Sequence, residues 1–166
     1  MIYGVPLATF TLLHVIISLI AIVCGVVVVF GMFASNQLTR WTGLFLFTTA
    51  LTSVTGFYFP GTTLTPARIF GIASLIVLVP TVLALYVFGL RGFWRWIYIA
   101  GVIIALYLNV FVAVVQSFAK IPELRSLAPT QSDPPFLFAE GGALVILILL
   151  GIIALVLFHP KRTAAA

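Results

Sequence analysis

The side chains best suited to chemistry are the few hydrogen-bonding groups that interrupt long apolar runs. Glu140 is one of only three acidic residues, and it follows Asp133, Pro134 and Pro135 at the start of such a run. A carboxyl group inside a membrane is costly to bury, so it marks a candidate ligand-binding or proton-linked site. If Asp133 caps a helix, Glu140 lies roughly 10 Å along the axis. The structural alternative is a carboxylate that reaches the lipid headgroups or complements the helix N-terminus.

Four further polar side chains are expected at a similar depth, and with Glu140 they form the candidate site. His14 lies in the first apolar run. Asn109 and Gln116 are seven residues apart, so they share nearly the same face of one helix. Thr52 is the middle member of a threonine stripe spaced i, i+4 and i+7. Hydrogen bonding or packing between helices is the alternative role for His14, Asn109 and the threonines.

The elements that position these side chains are predicted by composition and by the length of the apolar runs. The chain has 166 residues, of which 63% are hydrophobic and 7% charged. Soluble domains carry roughly a quarter charged residues, so lipid is the expected solvent. A helical span needs about 20 apolar residues, and separate spans in lipid must be helices. We therefore predict one all-α domain over residues 1–166, an integral membrane helical bundle of five transmembrane helices at about 7–33, 41–59, 69–90, 97–118 and 136–158.

The basic residues set the expected orientation. They are scattered at the ends of apolar runs, as topology-setting charges are, so the net charge of +5 does not indicate nucleic-acid binding. With the N-terminus outside, five basic residues lie on the inner side: Arg40, Arg91, Arg95, Lys161 and Arg162. Three lie on the outer side: Arg68, Lys120 and Arg125. This count favours an outer N-terminus and an inner C-terminus.

Polar groups are predicted to gather in one half of the membrane. Every span contributes one to the outer half, whereas the inner parts of the first and fifth spans read AIVCGVVVVFGMF and LVILILLGIIALVLF. A continuous water-filled path needs polar lining or a constriction that can wet. The asymmetry favours an outward-facing pocket or interaction site over a channel.

The sequence lacks the residue patterns of common enzymes and metal sites. Cys24 is the only cysteine, which excludes an internal disulfide. His14 and His159 are expected on opposite sides, so they do not ligate one haem within a monomer; His14 with another ligand, or across a dimer, stays open. Nucleotide-binding, zinc-protease and serine-hydrolase motifs are absent. We expect no enzymatic activity, no cofactor and no metal site.

Two segments carry a resemblance to known proteins. YLNVFVAVVQSFAKIPELRSLAPTQSDPPF, residues 107–136, and GFWRWIYI, residues 92–99, resemble a family of small, uncharacterised bacterial membrane proteins. The resemblance extends over most of the chain. It implies a multi-pass protein of the bacterial inner (plasma) membrane, with a periplasmic N-terminus on the orientation above. The family has no assigned activity, so it supplies no catalytic residues.

The leading functional expectation is a non-enzymatic integral membrane protein in the lipid bilayer. It would act as an accessory subunit that binds a partner membrane protein, a lipid or a small ligand at its periplasmic face. A proton-coupled or small-solute transporter using Glu140 is the first alternative. A haem- or quinone-binding redox subunit is the second.

Overall fold

The computed structural model describes residues 4–60 and 66–159, with side chains described for 4–60 and 68–159. Within these ranges the fold is all-α, as predicted. The helices are α1 (Leu7–Phe33), α2 (Thr39–Gly56), α3 (Pro66–Val82), α4 (Phe93–Lys120), α5 (Pro122–Leu127) and α6 (Pro134–Leu157). A π-helical turn, Leu83–Val87, extends α3. The expected inner charges Lys161 and Arg162 lie outside the described residues.

Four helices of the described chain, and not five, are long and apolar enough to cross a membrane: α1, α3 with its π-helical extension, α4 and α6. The second predicted span, 41–59, corresponds to α2, which ends at Gly56. Seven of its 18 residues are serine or threonine. These hydroxyls lower its mean hydropathy, so length and composition alone do not identify α2 as a span.

The end of α3 departs from regular α-helical geometry after Pro80. A proline inside a helix has no N–H to donate and its ring crowds the preceding turn. Three residues later the helix widens, and Phe88 N–H donates to the Leu83 carbonyl oxygen at 3.0 Å. Leu90 has a φ of 56° and reverses the chain, and the rings of Phe88 and Trp94 stack with centroids 3.7 Å apart. These features end α3 and turn the chain into α4.

The long helices alternate in direction along the chain, and α4 is central. α4 packs against α1, α3 and α6, while α2 packs against α1 and α3. One end of the bundle, called here the cavity end, is formed by the starts of α1, α3 and α6, the ends of α2 and α4, and α5. The opposite end is called the core end. This arrangement brings side chains from α1, α2, α3 and α4 together around one axis.

α6 is attached through a narrow stripe and is otherwise apolar and exposed. Its buried residues are Phe136, Glu140, Leu147, Gly151 and Ala154, spaced as one face of a helix. Because Gly151 lacks a side chain, Ile103 of α4 approaches closely; a Cβ there would lie 3.3 Å from the Ile103 side chain. We call the contact of this stripe with α4 the α4–α6 seam.

The core end fixes the C-terminus of α6 with side-chain hydrogen bonds. The Arg95 guanidinium of α4 donates to the carbonyl oxygens of Leu155 and Phe158. The Ser35 hydroxyl, just past α1, donates to the Leu157 carbonyl oxygen at 2.6 Å. The last carbonyls of a helix lack partners within it, and a cation there also suits the helix dipole. Among the described residues, the side-chain hydrogen bonds that other parts of the chain make to α6 lie at this end.

Candidate functional site

A cavity of about 510 Å³ lies at the cavity end, between α1, α2, α3 and α4. Along α4 its lining runs from Leu108 to Lys120, a rise of twelve residue steps, or roughly 18 Å at 1.5 Å per residue. Toward the core end, α1, α2 and α4 pack closely around Gly25. A Cβ on Gly25 would lie 2.8 Å from side-chain atoms of both Phe45 and Leu106. The cavity therefore has a tightly packed floor.

Four of the five predicted site residues line this cavity. His14 comes from α1, Thr52 from α2, and Asn109 and Gln116 from α4. Ser74 adds a hydroxyl from α3. The seven-residue spacing of Asn109 and Gln116 places both on the face of α4 that borders the cavity. Each of the four helices thus contributes at least one hydrogen-bonding side chain to a shared space.

His14 is held in a defined orientation by α2. Its Nδ1 lies 2.8 Å from Thr55 Oγ1, and its ring packs edge-on against Phe59 with centroids 5.1 Å apart. The Thr55 hydroxyl donates to carbonyl oxygens of its own helix, chiefly Leu51 at 2.7 Å. With its proton used there, Thr55 accepts, so His14 donates from Nδ1. In the neutral ring this leaves the Nε2 lone pair as an acceptor.

Asn109 combines a packing role with its place in the lining. It is buried, and its Nδ2 donates to Thr49 Oγ1 at 3.1 Å and to the Ala105 carbonyl oxygen at 3.0 Å. Neither bond uses the amide oxygen. Gln116 lies two helical turns nearer the opening and is half-buried. Asn109 therefore links α4 to α2 through a hydrogen bond, which is the packing role named as its alternative. It also borders the cavity.

Thr52 differs from the other members of its stripe. Thr48 Oγ1 donates to the Leu44 carbonyl oxygen at 2.7 Å, and Thr55 bonds to His14. Thr52 Oγ1 is buried and has no hydrogen-bond partner among the described residues. An unsatisfied buried hydroxyl is unfavourable and calls for an explanation such as a bound ligand or water.

Glu140 does not belong to the cavity. It is only 6% exposed and lies in the α4–α6 seam. Within the described structure neither of its carboxylate oxygens has a hydrogen-bond partner, so it is not paired with His14. Near Glu140, the rings of Phe118 at the end of α4 and Phe136 at the start of α6 are in contact, with centroids 5.5 Å apart. Glu140 therefore faces protein, and this burial does not favour the alternative that its carboxylate reaches the lipid headgroups.

Asp133 occupies the predicted N-cap of α6 without capping it through its side chain. Its Oδ2 instead accepts from the Thr130 backbone N–H at 2.7 Å and from the Thr130 hydroxyl at 2.9 Å. Pro134 and Pro135 supply no N–H in the first two helical positions. The carboxylate stabilises the preceding turn.

Two basic residues at the opening were assigned only to orientation by the sequence. Arg68, at the start of α3, lines the cavity, and its Nη2 donates to the Phe59 carbonyl oxygen at 2.8 Å. Lys120, at the end of α4, lines it as well and is exposed. The alternating direction of successive helices could have predicted this placement. It brings the start of the third predicted span and the end of the fourth to the same side of the membrane. The lining contains no carboxylate among the residues described.

The polarity difference between the two ends is smaller than expected. The core end also buries hydroxyls: Thr42 and Tyr98 lie 3.3 Å apart through their oxygens, and Thr81 donates to the Val77 carbonyl oxygen at 2.7 Å. What distinguishes the ends is space. At the core end these hydroxyls have protein partners, whereas the cavity end leaves an opening.

The structure places His14 and His159 at opposite ends of the bundle, as expected. His159 follows α6, and its backbone N–H donates to Ser35 Oγ at 3.1 Å at the core end. Over the described ranges, no group of three or more His, Cys, Asp or Glu side chains is arranged to hold a metal ion. Cys24 is buried in the core as a free thiol.

Comparisons with protein-family models, with curated proteins and with solved structures give no match for this chain. The resemblance to small bacterial membrane proteins remains a prediction.

Proposed function

We propose that this chain is an integral membrane protein that binds a small ligand in its cavity, as a non-enzymatic accessory component. The observation that carries the proposal is the cavity of about 510 Å³, lined by polar side chains from four helices and closed beneath by packing. Small-molecule sites in proteins have volumes of about 300–1,000 Å³ and a few convergent polar groups on mostly apolar walls. Thr52 and the positioned ring of His14 supply such groups.

We further propose that α2 crosses the membrane, which gives five spans. α1 ends at the core end and α3 begins at the cavity end, so the intervening chain must pass between them. α2 makes this passage. Its Thr42, Thr49 and Ser53 are buried against other helices, whereas Phe47 is 65% exposed and Val54 40% exposed. Hydroxyls inside and apolar side chains outside suit a span packed among others.

The proposed orientation places the cavity end outside, in the periplasm of a bacterium. Two variants test it, because Ser126 on α5 and Asn36 between α1 and α2 are both exposed at opposite ends. A membrane-impermeant maleimide applied to intact spheroplasts should label Ser126→Cys and spare Asn36→Cys. Cys24 is 2% exposed and should contribute little background. The reverse pattern would overturn the orientation.

The ligand-binding proposal is favoured over transport by the structure's closed floor and by the position of Glu140. The transporter hypothesis needs Glu140 to titrate along a route through the protein. Glu140 instead lies in the α4–α6 seam, and toward the core end Gly25, Phe45 and Leu106, none of which lines the cavity, pack closely together. Binding requires only the opening at one end.

A cavity-filling substitution tests the proposal. Gly71 of α3 lines the cavity, and a Cβ there would meet its nearest neighbours at an ordinary 3.5 Å. Gly71→Leu should project its remaining atoms into the cavity. Gly141→Leu on α6 is the matched control, since nothing lies within 4 Å of a Cβ at that position.

The measurement is native mass spectrometry of protein purified in mild detergent. The wild type and Gly141→Leu should retain a bound small molecule, and Gly71→Leu should lose it while remaining monodisperse. Equal retention by both variants would place the molecule outside the cavity and refute the proposal.

A further inference from the structure

Two buried polar side chains of the lining have hydrogen-bonding capacity that the protein leaves unused. Asn109 uses its amide nitrogen, because Nδ2 donates to Thr49 Oγ1 and to the Ala105 carbonyl oxygen. A carbonyl only accepts, so the nitrogen and not the oxygen lies on that side. The amide oxygen is left without a partner among the described residues. Ser74 of α3 is 5% exposed, lines the same cavity and makes no hydrogen bond within the described part of the chain.

Helix packing places these two side chains at one level. Gly101 of α4 contacts Thr81 of α3, and the two helices run in opposite directions. Ser74 lies seven residues before Thr81, so it is level with the position seven residues after Gly101, which is next to Asn109. An amide oxygen only accepts hydrogen bonds, whereas a free hydroxyl can also donate. A ligand hydroxyl satisfies both groups, because it donates to Asn109 and accepts from Ser74.

A second unused acceptor lies on α1, nearer the opening. His14 Nδ1 bonds to Thr55, and the neighbouring ring carbon, Cε1, lies 3.8 Å from a Cβ placed on Gly56, which also lines the cavity. Nε2 is bonded to Cε1 and has no partner among the described residues. Thr49, the partner of Asn109, and Thr55, the partner of His14, are six residues apart on α2. The two levels are therefore separated by roughly 9 Å along that helix.

The walls that accompany these two levels are apolar and partly aromatic. Phe59 packs edge-on against His14, and Phe70, Leu108 and Val112 also line the cavity. Aromatic side chains favour stacked or edge contacts with another ring. The described lining holds no carboxylate to neutralise a cationic ligand, and an acceptor at each level disfavours an anionic group beside it. These features suit a neutral aromatic ring with a hydroxyl group at each end.

We propose that the cavity binds an aromatic diol of the hydroquinone class. One hydroxyl donates to the Asn109 amide oxygen and accepts from Ser74, and the other donates to His14 Nε2. The ring contacts Phe59 and Phe70. This rests on the proposed function, because it specifies the ligand of the same cavity. Two sources share the chemistry: a soluble phenol from the periplasmic solution, and the head group of a prenylated quinol in the bilayer.

Three probes that differ in their hydroxyl groups test the hydrogen bonds. Binding of hydroquinone, 4-methoxyphenol and 1,4-dimethoxybenzene to the purified, delipidated protein is measured without oxygen by microscale thermophoresis. Each lost donor should weaken binding about three- to tenfold, so hydroquinone should bind tightest and 1,4-dimethoxybenzene weakest. Equal affinity for hydroquinone and 4-methoxyphenol would overturn the diol assignment. Tighter binding of 4-hydroxybenzoate than of hydroquinone would overturn the assignment of a neutral ligand.

Variants assign the hydrogen bonds to their residues. Ser74→Ala and His14→Phe should each weaken hydroquinone binding about three- to tenfold. His14→Phe should leave binding of 1,4-dimethoxybenzene within about twofold of the wild type, because that probe has no proton to donate. Ser126→Ala, on α5 outside the lining, is the control and should not change either affinity. Unchanged hydroquinone binding in both lining variants would refute the placement of the diol.

Analysis of protein purified from native membranes separates the two sources. A solvent extract is examined by chromatography for prenylated quinol, together with the quinone that air oxidation forms from it. A stoichiometric amount identifies the bilayer molecule as the source. Hydroquinone binding without any such extract identifies the soluble phenol. Neither occurring would overturn the proposal.

The outcomes distinguish this proposal from the proposed function. If the wild type retains a molecule of another class that Gly71→Leu excludes, the cavity binds a ligand and the aromatic diol assignment fails. If Gly71→Leu excludes nothing that the wild type retains, the binding function itself fails.

Discussion

The contact between Gly101 of α4 and Thr81 of α3 gives the sharpest quantitative prediction. A Cβ on Gly101 would lie 1.9 Å from Thr81 Oγ1, 3.0 Å from its Cβ and 3.2 Å from its Cγ2. Ordinary contacts begin near 3.4 Å, so the hydroxyl would have to move by 3.4 − 1.9 = 1.5 Å. Thr81 is fully buried, and its hydroxyl bonds to the Val77 carbonyl oxygen at 2.7 Å. A rotation of the side chain leaves the Cβ contact in place, so the helices must separate.

Gly101→Ala should therefore destabilise the protein. Overpacking costs about 1–3 kcal/mol, and the gain of about 1 kcal/mol from replacing glycine within a helix offsets part of it. Gly141→Ala is the matched control, because a Cβ on Gly141 meets nothing within 4 Å. The control should be neutral or slightly stabilising. The assay is equilibrium unfolding by sodium dodecyl sulfate in mixed micelles, followed by circular dichroism.

A second substitution tests whether the contact is the cause. Thr81→Ala removes both Oγ1 and Cγ2 and leaves only the 3.0 Å neighbour. In the Gly101→Ala background it should recover more than half of the lost unfolding free energy. The reasoning is refuted if Gly101→Ala unfolds at the same detergent fraction as Gly141→Ala, or if Thr81→Ala deepens the loss additively.

Three other perturbations have defined outcomes, the first two in the same unfolding assay and the third in amide hydrogen exchange. Glu140→Leu should raise the unfolding free energy by about 1–3 kcal/mol, because it removes a buried carboxyl with no partner among the described residues; a decrease would show that a partner is present in the membrane. Asn109→Ala and Thr49→Ala should couple by about 0.6 kcal/mol in a double-mutant cycle, the average for hydrogen bonds between membrane helices; strict additivity would exclude the bond. Arg95→Met should speed amide hydrogen exchange at Phe158 in the last turn of α6, whereas Arg40→Met should not; unchanged exchange would show that the guanidinium does not hold that turn.

The helices could be predicted because lipid-length apolar runs leave few structural choices. α2 was the difficult case, since its buried threonines resemble a polar connection by composition although they face neighbouring helices. The grouping of His14, Asn109 and Gln116 was predictable from depth and helical spacing, which are properties of single helices.

The position of Glu140 was not predictable, because depth along a helix does not specify its rotation toward a neighbour. The same limit applies to Lys120 and Arg68, whose shared opening depends on which helices surround the cavity. Asp133 shows the same limit within one segment of the chain. Its position predicts a capping side chain, but its carboxylate accepts a hydrogen bond from Thr130 instead and does not cap α6.

The order of the lining along the chain has a consequence for biogenesis. Every side chain that lines the cavity falls between Thr11 and Ile121. A polypeptide is made from its N-terminus, and its early parts assemble first. The walls of the cavity are thus all synthesised before α6 emerges from the ribosome. α6 then joins an existing unit. If the cavity binds a ligand as proposed, a nascent chain arrested after α5 should already bind it.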